Sequence, residues 1–346
     1  DCHADNVDKA QRGFRFQITD GVGCEACHGG SEDYLKSHTE VDVTHLVNLG
    51  NGMYATEKPL ARAKLCLSCH LGNSHKFASH QLMGAGHPRL SFELETFTVN
   101  QPAHYAVDDD YRQRKGNINS VNMWLAGIVV SASETMKLLE NRLKTDNVMP
   151  ELALFECHSC HHGMDQLQWQ SQTYPTPAGT VRINDANILL LRSVLTVLGN
   201  KKAKVLDDML NKLHRLSNDS IQSTQKNARQ LHQLIEQWSD GLVNQPLTVA
   251  NKRLLLMSLL QDGANHSFSD FTSAELVFLG VETLMLDLNI SQRYQQPLDK
   301  FFKSVENENS YKNIQFKREC NALLSKLSKV YALSTLETSF QLRGAK

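Results

Sequence analysis

Three times along the chain, two cysteines stand three positions apart with a histidine directly after the second: CEACH at Cys24 to His28, CLSCH at Cys66 to His70 and CHSCH at Cys157 to His161. Two thiols at that spacing reach the two vinyl groups on one edge of a porphyrin and form thioethers. The next residue brings its imidazole beneath the ring as a proximal iron ligand, so C-x-x-C-H reads as an attachment sequence for haem c. Cys24, Cys27, Cys66, Cys69, Cys157 and Cys160 are then cofactor-binding, and His28, His70 and His161 are iron ligands. The opening Asp1-Cys2-His3 reads as the second half of a fourth site, with Cys2 as its thioether and His3 as its ligand. The first cysteine of that site is expected upstream, and the number of further upstream sites stays open.

Zinc is the alternative for paired cysteines, but zinc ribbons want two pairs about 15 to 20 residues apart. Here 38 residues separate Cys27 from Cys66 and 87 separate Cys69 from Cys157. The ligand on the other face of each haem decides the chemistry, because two histidines leave only electron transfer while an open face admits substrate. The first half offers His38, His45, His75, His80, His87, His104 and His162 for that position. Local sequence favours His38, which closes a glycine-rich loop, and His80 and His87, which flank QLMGAG before the stiffening Pro88. His104 in QPAHY follows, and His162, beside a proximal histidine, reads either as a ligand to a neighbouring haem or as a solvent-facing or propionate-bonding residue. No methionine stands in an obvious ligand context, with Met53 and Met83 kept as alternatives.

These residues are unevenly spread. Seven of the eight cysteines and twelve of the fifteen histidines lie before position 163, among loop-like runs such as HGGSED and NLGNGMY. Residues 1–178 are therefore expected to be a loop-rich domain organised by cofactors, interrupted by one long helix over SVNMWLAGIVVSASETMKLLENRLK with Trp124, Ile128, Ala132, Met136, Leu139 and Leu143 at helical steps. The run YPTPAG reads as a linker. Residues 179–346 carry 3.6-residue periodicity instead: Ile188, Leu191, Leu195 and Leu198; Leu206, Met209, Leu213 and Leu216; and Ile221 to Trp238, opened by Asp219 and Gln222 as a capping box. The fold class expected is mainly α, a loop-rich multihaem domain followed by an antiparallel, cofactor-free helical bundle. In that bundle Cys320 reads as a buried inert thiol, with a redox thiol as the alternative. His214, His232 and His266 read as surface histidines.

A formal net charge of −1 gives no basic footprint for nucleic acid. No apolar run reaches the length of a membrane span. Thioether attachment needs thiols handled outside the cytoplasm, so a periplasmic or extracellular location is expected.

The stretch GVGCEACHGGSEDYLKSH resembles the GV-C-E-x-C-H-G element of the multihaem cytochrome c-554 family, whose members carry electrons from hydroxylamine oxidoreductase and related systems. HQLMGAGHPRLSFELETF and MPELALFECHSCHH are similar to larger secreted relatives. The resemblance covers about the first 165 residues and implies a haem motif just before GVGCEACHG, which fits Cys2 and His3. The helical half and the widely separated CHSCHH depart from the small carriers, so that family's partner is not carried over. Three readings follow: an electron carrier between a donor and an acceptor protein, with the helical half in docking or self-association; a haem reductase or oxidase of a small nitrogen or sulfur species with one open haem; and a subunit of a haem filament or larger respiratory complex.

Overall fold

The computed structural model describes residues 2–5, 7–117, 119–143, 150–161, 180–265 and 268–331. His162, His266, the YPTPAG run and the expected domain boundary at 178 lie outside them. The fold is mainly α; among the described residues the only β pairing is an isolated bridge between Phe155 and Ile183. Two compact units divide the chain: Asp1–Leu154 with Ala228–Pro246, and Phe155–Asn227 with Leu247–Lys346. CHSCH is thereby grouped with the C-terminal helices, and the chain passes back through the first unit at 228–246.

The first unit begins with short helices, α1 Cys24–His28, α2 His45–Gly50, α3 Pro59–His70, α4 His80–Gly84, α5 Leu94–Asn100 and α6 Asp109–Lys115. They lead to its one long early helix, α7 Ser120–Arg142. Asn119 caps α7 by accepting from Asn122 N–H at 2.9 Å. The expected stripe from Trp124 to Leu143 is buried, and so are all positions from Val121 to Ser133, so this helix is enclosed all round there. α3 and α5 pack against it. α5 approaches closely because position 127 is glycine: a Cβ there would stand 2.7 Å from Leu94 Cβ.

The second unit holds α8 Ala186–Val197, α9 Lys202–Leu216 and the first turns of α10 Ile221–Val243, followed by α11 Val249–Ala264, α12 Phe271–Asp287, α13 Gln295–Val305 and α14 Asn313–Tyr331. α11 packs on α8, α12 and α14. Gly263 permits the last contact, since a Cβ there would lie 2.8 Å from Cys320 Sγ. Cys320 is fully buried, and burial pushes its thiol well above the ordinary range. The N-cap of α10 is Ser220 rather than Asp219: Ser223 N–H donates to Ser220 Oγ, which in turn donates to Gln222 Oε1. From Ala228 onward α10 belongs to the first unit, where Val243 O accepts from Asn122 Nδ2 at 3.0 Å and Arg229 pairs with Glu140.

Candidate functional site

Each C-x-x-C-H run forms a turn that sets its two cysteines on one side. In α1, a single helical turn, Cys24 and Cys27 are i, i+3 neighbours and His28 is the last residue. Gly29 follows at φ 80°, and a Cβ there would fall 2.9 Å from Gly52 O, so only glycine takes the chain out of this turn. Tyr34 OH donates to His28 O at 3.0 Å and Gly29 O at 2.9 Å, and Tyr54 N–H donates to His28 O at 2.8 Å. In α3, Pro59 opens the helix and Ala63 and Leu67 are its buried residues, while Cys66, Cys69 and His70 fall at its C-terminal end. The third run is a 3-10 turn, Cys157–Ser159, with His161 N–H donating to Cys157 O at 2.8 Å. Glu156 caps it, accepting from His158 N–H at 2.8 Å.

Three of the four motifs converge. Cys2, Cys27, Cys66, Cys69 and His70 line one cavity of about 970 Å³ in the first unit, with Ala26, Leu65, Phe92 and Phe97 among its walls. That is the upper end of the roughly 300–1,000 Å³ typical of small-molecule sites. Burial raises the Cys66 thiol. Cys69 is also desolvated, but Lys76 Nζ donates to its Sγ at 2.9 Å and the net effect is a lowered thiol, the more nucleophilic of the pair. Arg142 holds the loop that carries Lys76, donating to Asn73 O and Ser74 O with its guanidinium over the Phe77 ring.

Two motif histidines face candidates for the opposite side. The His3 and His87 rings have centroids 6.1 Å apart at 68°, and those of His28 and His104 are 5.9 Å apart at 76°. Two imidazoles bound to one metal through nitrogens at about 2 Å have centroids roughly 6 Å apart. His87 Nδ1 lies 2.7 Å from Pro88 O and must donate to it, which leaves Nε2 of the neutral ring free to bind. His28 is pushed down by desolvation and by the charges of His104, Lys115 and Arg62, and so is held neutral, the ligating form.

The remaining candidates are placed differently. His38 is exposed, with Nδ1 donating to Leu35 O at 2.6 Å and its ring 6.3 Å from Tyr34. His80 opens α4, its N–H donating to Glu151 Oε1 at 2.8 Å. His45 is engaged by Glu57 at 3.2 Å. The His70 ring stacks face to face on Phe92 at 4.3 Å, with Phe97 at 6.0 Å, and desolvation lowers its pKa. Among the described residues no three His, Cys, Asp or Glu side chains are gathered as a metal-ion cluster. Facing pairs, rather than clusters, are the arrangement a planar cofactor with axial ligands requires.

Sequence reasoning missed a charge network in the second unit. Arg182 spans Asp185 and Asp270, its Nη1 3.3 Å from Asp270 Oδ2, and His214 Nε2 lies 2.9 Å from Asp185 Oδ2. All four side chains are buried, which corrects the placement of His214 on the surface. Its signal was present, because His214 follows Leu210 by four positions on α9, on the buried face that Leu206, Leu210 and Leu213 define. His232 is half-buried, its Nδ1 2.8 Å from Ser133 Oγ, rather than free on a polar face. His158 sits between Glu156 and Glu308 at 3.6 and 3.7 Å, and the nearby Glu156 carboxyl raises its pKa against desolvation.

A family model described as cytochrome c554 and c-prime matches residues 1–29, a stretch that takes in Cys2, His3, Cys24, Cys27 and His28. No curated protein and no solved structure matches the chain. The match supports a c-type cytochrome with haem c and redox partners. No helix among the described residues is long and apolar enough to cross a membrane.

Proposed function

We propose that the chain is an extracytoplasmic multihaem cytochrome that passes electrons between a donor and an acceptor protein. Haem c, when bound, supplies a one-electron iron centre at each site. Cys24 and Cys27 hold one, Cys66 and Cys69 a second, Cys157 and Cys160 a third, and Cys2 is one thioether of a fourth. His28, His70, His161 and His3 would hold the irons, His87 would help to hold the group at His3 and His104 the group at His28, while His38, His80 and His162 remain ligand candidates at the other sites.

The observation that carries this reading is the two pairs of facing histidines, each joining a motif histidine to one far away in sequence at a ring spacing that two residues holding one iron would have. The convergence of Cys2, Cys27, Cys66 and Cys69 on one cavity supports a reading in which these residues would hold neighbouring cofactors. In this reading the chain's own groups orient and exclude. The Pro88 carbonyl fixes the His87 ring, and Phe92 fixes the His70 ring.

An oxidase or reductase reading has one observation in its favour: among the described residues, the ring contacts given for His70 are with Phe92 and Phe97 rather than with a second imidazole. A ferric high-spin resonance signal that changes on adding cyanide would select it. The carrier reading is tested by His87→Met and His104→Met in holoprotein. Each substitution raises one midpoint potential while haem content by mass is unchanged, because methionine opposite histidine favours the reduced iron. Unmodified thiols at the six motif cysteines, or potentials unmoved in both variants, would overturn it.

A further inference from the structure

The loop that follows the second motif folds back onto a thiol the chain has just left. α3 ends at His70, and Gly72 turns the chain at φ 97°, where a Cβ would lie 2.7 Å from Lys76 O. The turn is closed on itself: Asn73 N–H donates to Lys76 O at 2.7 Å, and Asn73 Oδ1 accepts from His75 N–H at 2.8 Å and from Lys76 N–H at 3.1 Å. From α7, the Arg142 guanidinium donates to Asn73 O and Ser74 O, each at 3.1 Å, and lies over the Phe77 ring. With the backbone bracketed in this way, the Lys76 side chain reaches back seven positions and its Nζ stands 2.9 Å from Cys69 Sγ.

Lys76 and Cys69 both line the cavity onto which Cys2, Cys27 and Cys66 also open. Of the described residues along its wall the acid is Asp5, whose carboxylate accepts from Gly23 N–H at 3.0 Å. Lys76 itself is half-buried. A cation so placed is screened less by water and salt than one on a free surface chain.

Resting on the multihaem reading above, we propose that Lys76 is the residue that raises the midpoint potential of the group Cys66 and Cys69 would hold. Its ammonium stands against one of the two sulfurs through which that group would be bonded, and a positive charge there favours the state with one more electron. The electron comes from the donor protein and goes on to the acceptor, and no bond is made or broken. A thioether sulfur accepts a hydrogen bond only weakly, so after attachment the ammonium is kept in place by the bracket of Asn73 and Arg142, none of whose bonds involves a cysteine. A packing role for Lys76 would ask only for a long side chain; this role asks for the charge.

The test uses full-chain holoprotein, wild type, Lys76→Gln and Lys76→Arg, with haem content by mass and midpoint potentials by spectroelectrochemistry on each. K76Q is expected to lower one potential and leave the others, while K76R stays at the wild-type values. At equal haem content, potentials unmoved in K76Q overturn the proposal. A K76R that falls as far as K76Q overturns it too, because the charge would then not be the cause. Should K76Q fail to take up haem, an experimental density map of the wild-type holoprotein decides: an ammonium beside the Cys69 sulfur supports the proposal, and one turned away to solvent sinks it. A wild type whose peptide map shows Cys66 and Cys69 unmodified would instead strike the parent reading.

Discussion

Residues 2–117 and residues 180–331 have solved the problem of an interior in opposite ways. In the first stretch the buried apolar side chains are Tyr34, Ala63, Leu67, Ala78, Leu94 and Tyr111, while Phe14 and Val41 are more than nine-tenths exposed and Leu46 is 75 % exposed. The second buries several times as many, among them Phe268, Phe301, Phe316 and Leu323, with few large apolar groups left outside. Folding needs apolar surface removed from water at about 25 cal/mol per Å², and the first stretch does not remove enough with its own side chains. On the proposed reading, the cysteines of the first stretch stand where a core would otherwise be, and porphyrin bound there would supply apolar surface that its side chains do not.

The largest effect that could break this comparison comes from withholding haem. In chain produced without cofactor attachment, amide hydrogen exchange over residues 7–117 is expected to approach the unprotected limit while α11, α12 and α14 stay protected. Equal protection in the two regions would mean that the first has a core of its own. Next in size is Arg182→Ala in the second unit, which strands Asp185 and Asp270 in the interior. It should cost about 3–5 kcal/mol in urea unfolding of the holoprotein, with the haem absorption of the folded protein unchanged. The same network sets an acid limit. Asp185 is held well below the usual carboxylate range by Arg182 and His214 despite burial. Its stabilisation is therefore fully present above the unfolded value of about 4 and is lost as pH falls further, and His214→Gln should make that loss begin from a less stable starting point. Smallest is Gly263→Ala, which drives a methyl onto Cys320 Sγ and should cost about 1–3 kcal/mol; Gly263→Ala in a Cys320→Ala background should cost less.

The parts of this molecule that were legible in the sequence are those whose cause is local. The thiol spacing of Cys24 and Cys27, the period of α7 and the step from Phe316 through Cys320 to Leu327 each lie within a single helix. Facing histidines carry no such signal, because what joins His3 to His87 is the packing of everything between them. QLMGAGHP marked His87 as held by its loop, and the Pro88 carbonyl on Nδ1 is the form that holding takes. Ser220 displaced Asp219 because a cap is chosen by which side chain reaches N3, a choice of one residue that spacing alone does not make. Nothing in its own run of residues marked α10 as divided between two units. Its apolar stripe from Ala228 through Ile235 to Trp238 is continuous with the turns before it, and a stripe does not say what it lies against.

That division bears on the order in which the protein can be completed. A chain made from its N-terminus at roughly 5–20 residues per second delivers α7 well before it delivers the segment Ala228–Pro246. In the interval, Asn122 and Ser133 lack Val243 and His232, and the face of α7 that will meet α10 stands bare. Until residues 228–246 follow, the early helices therefore lack the partner that closes over α7.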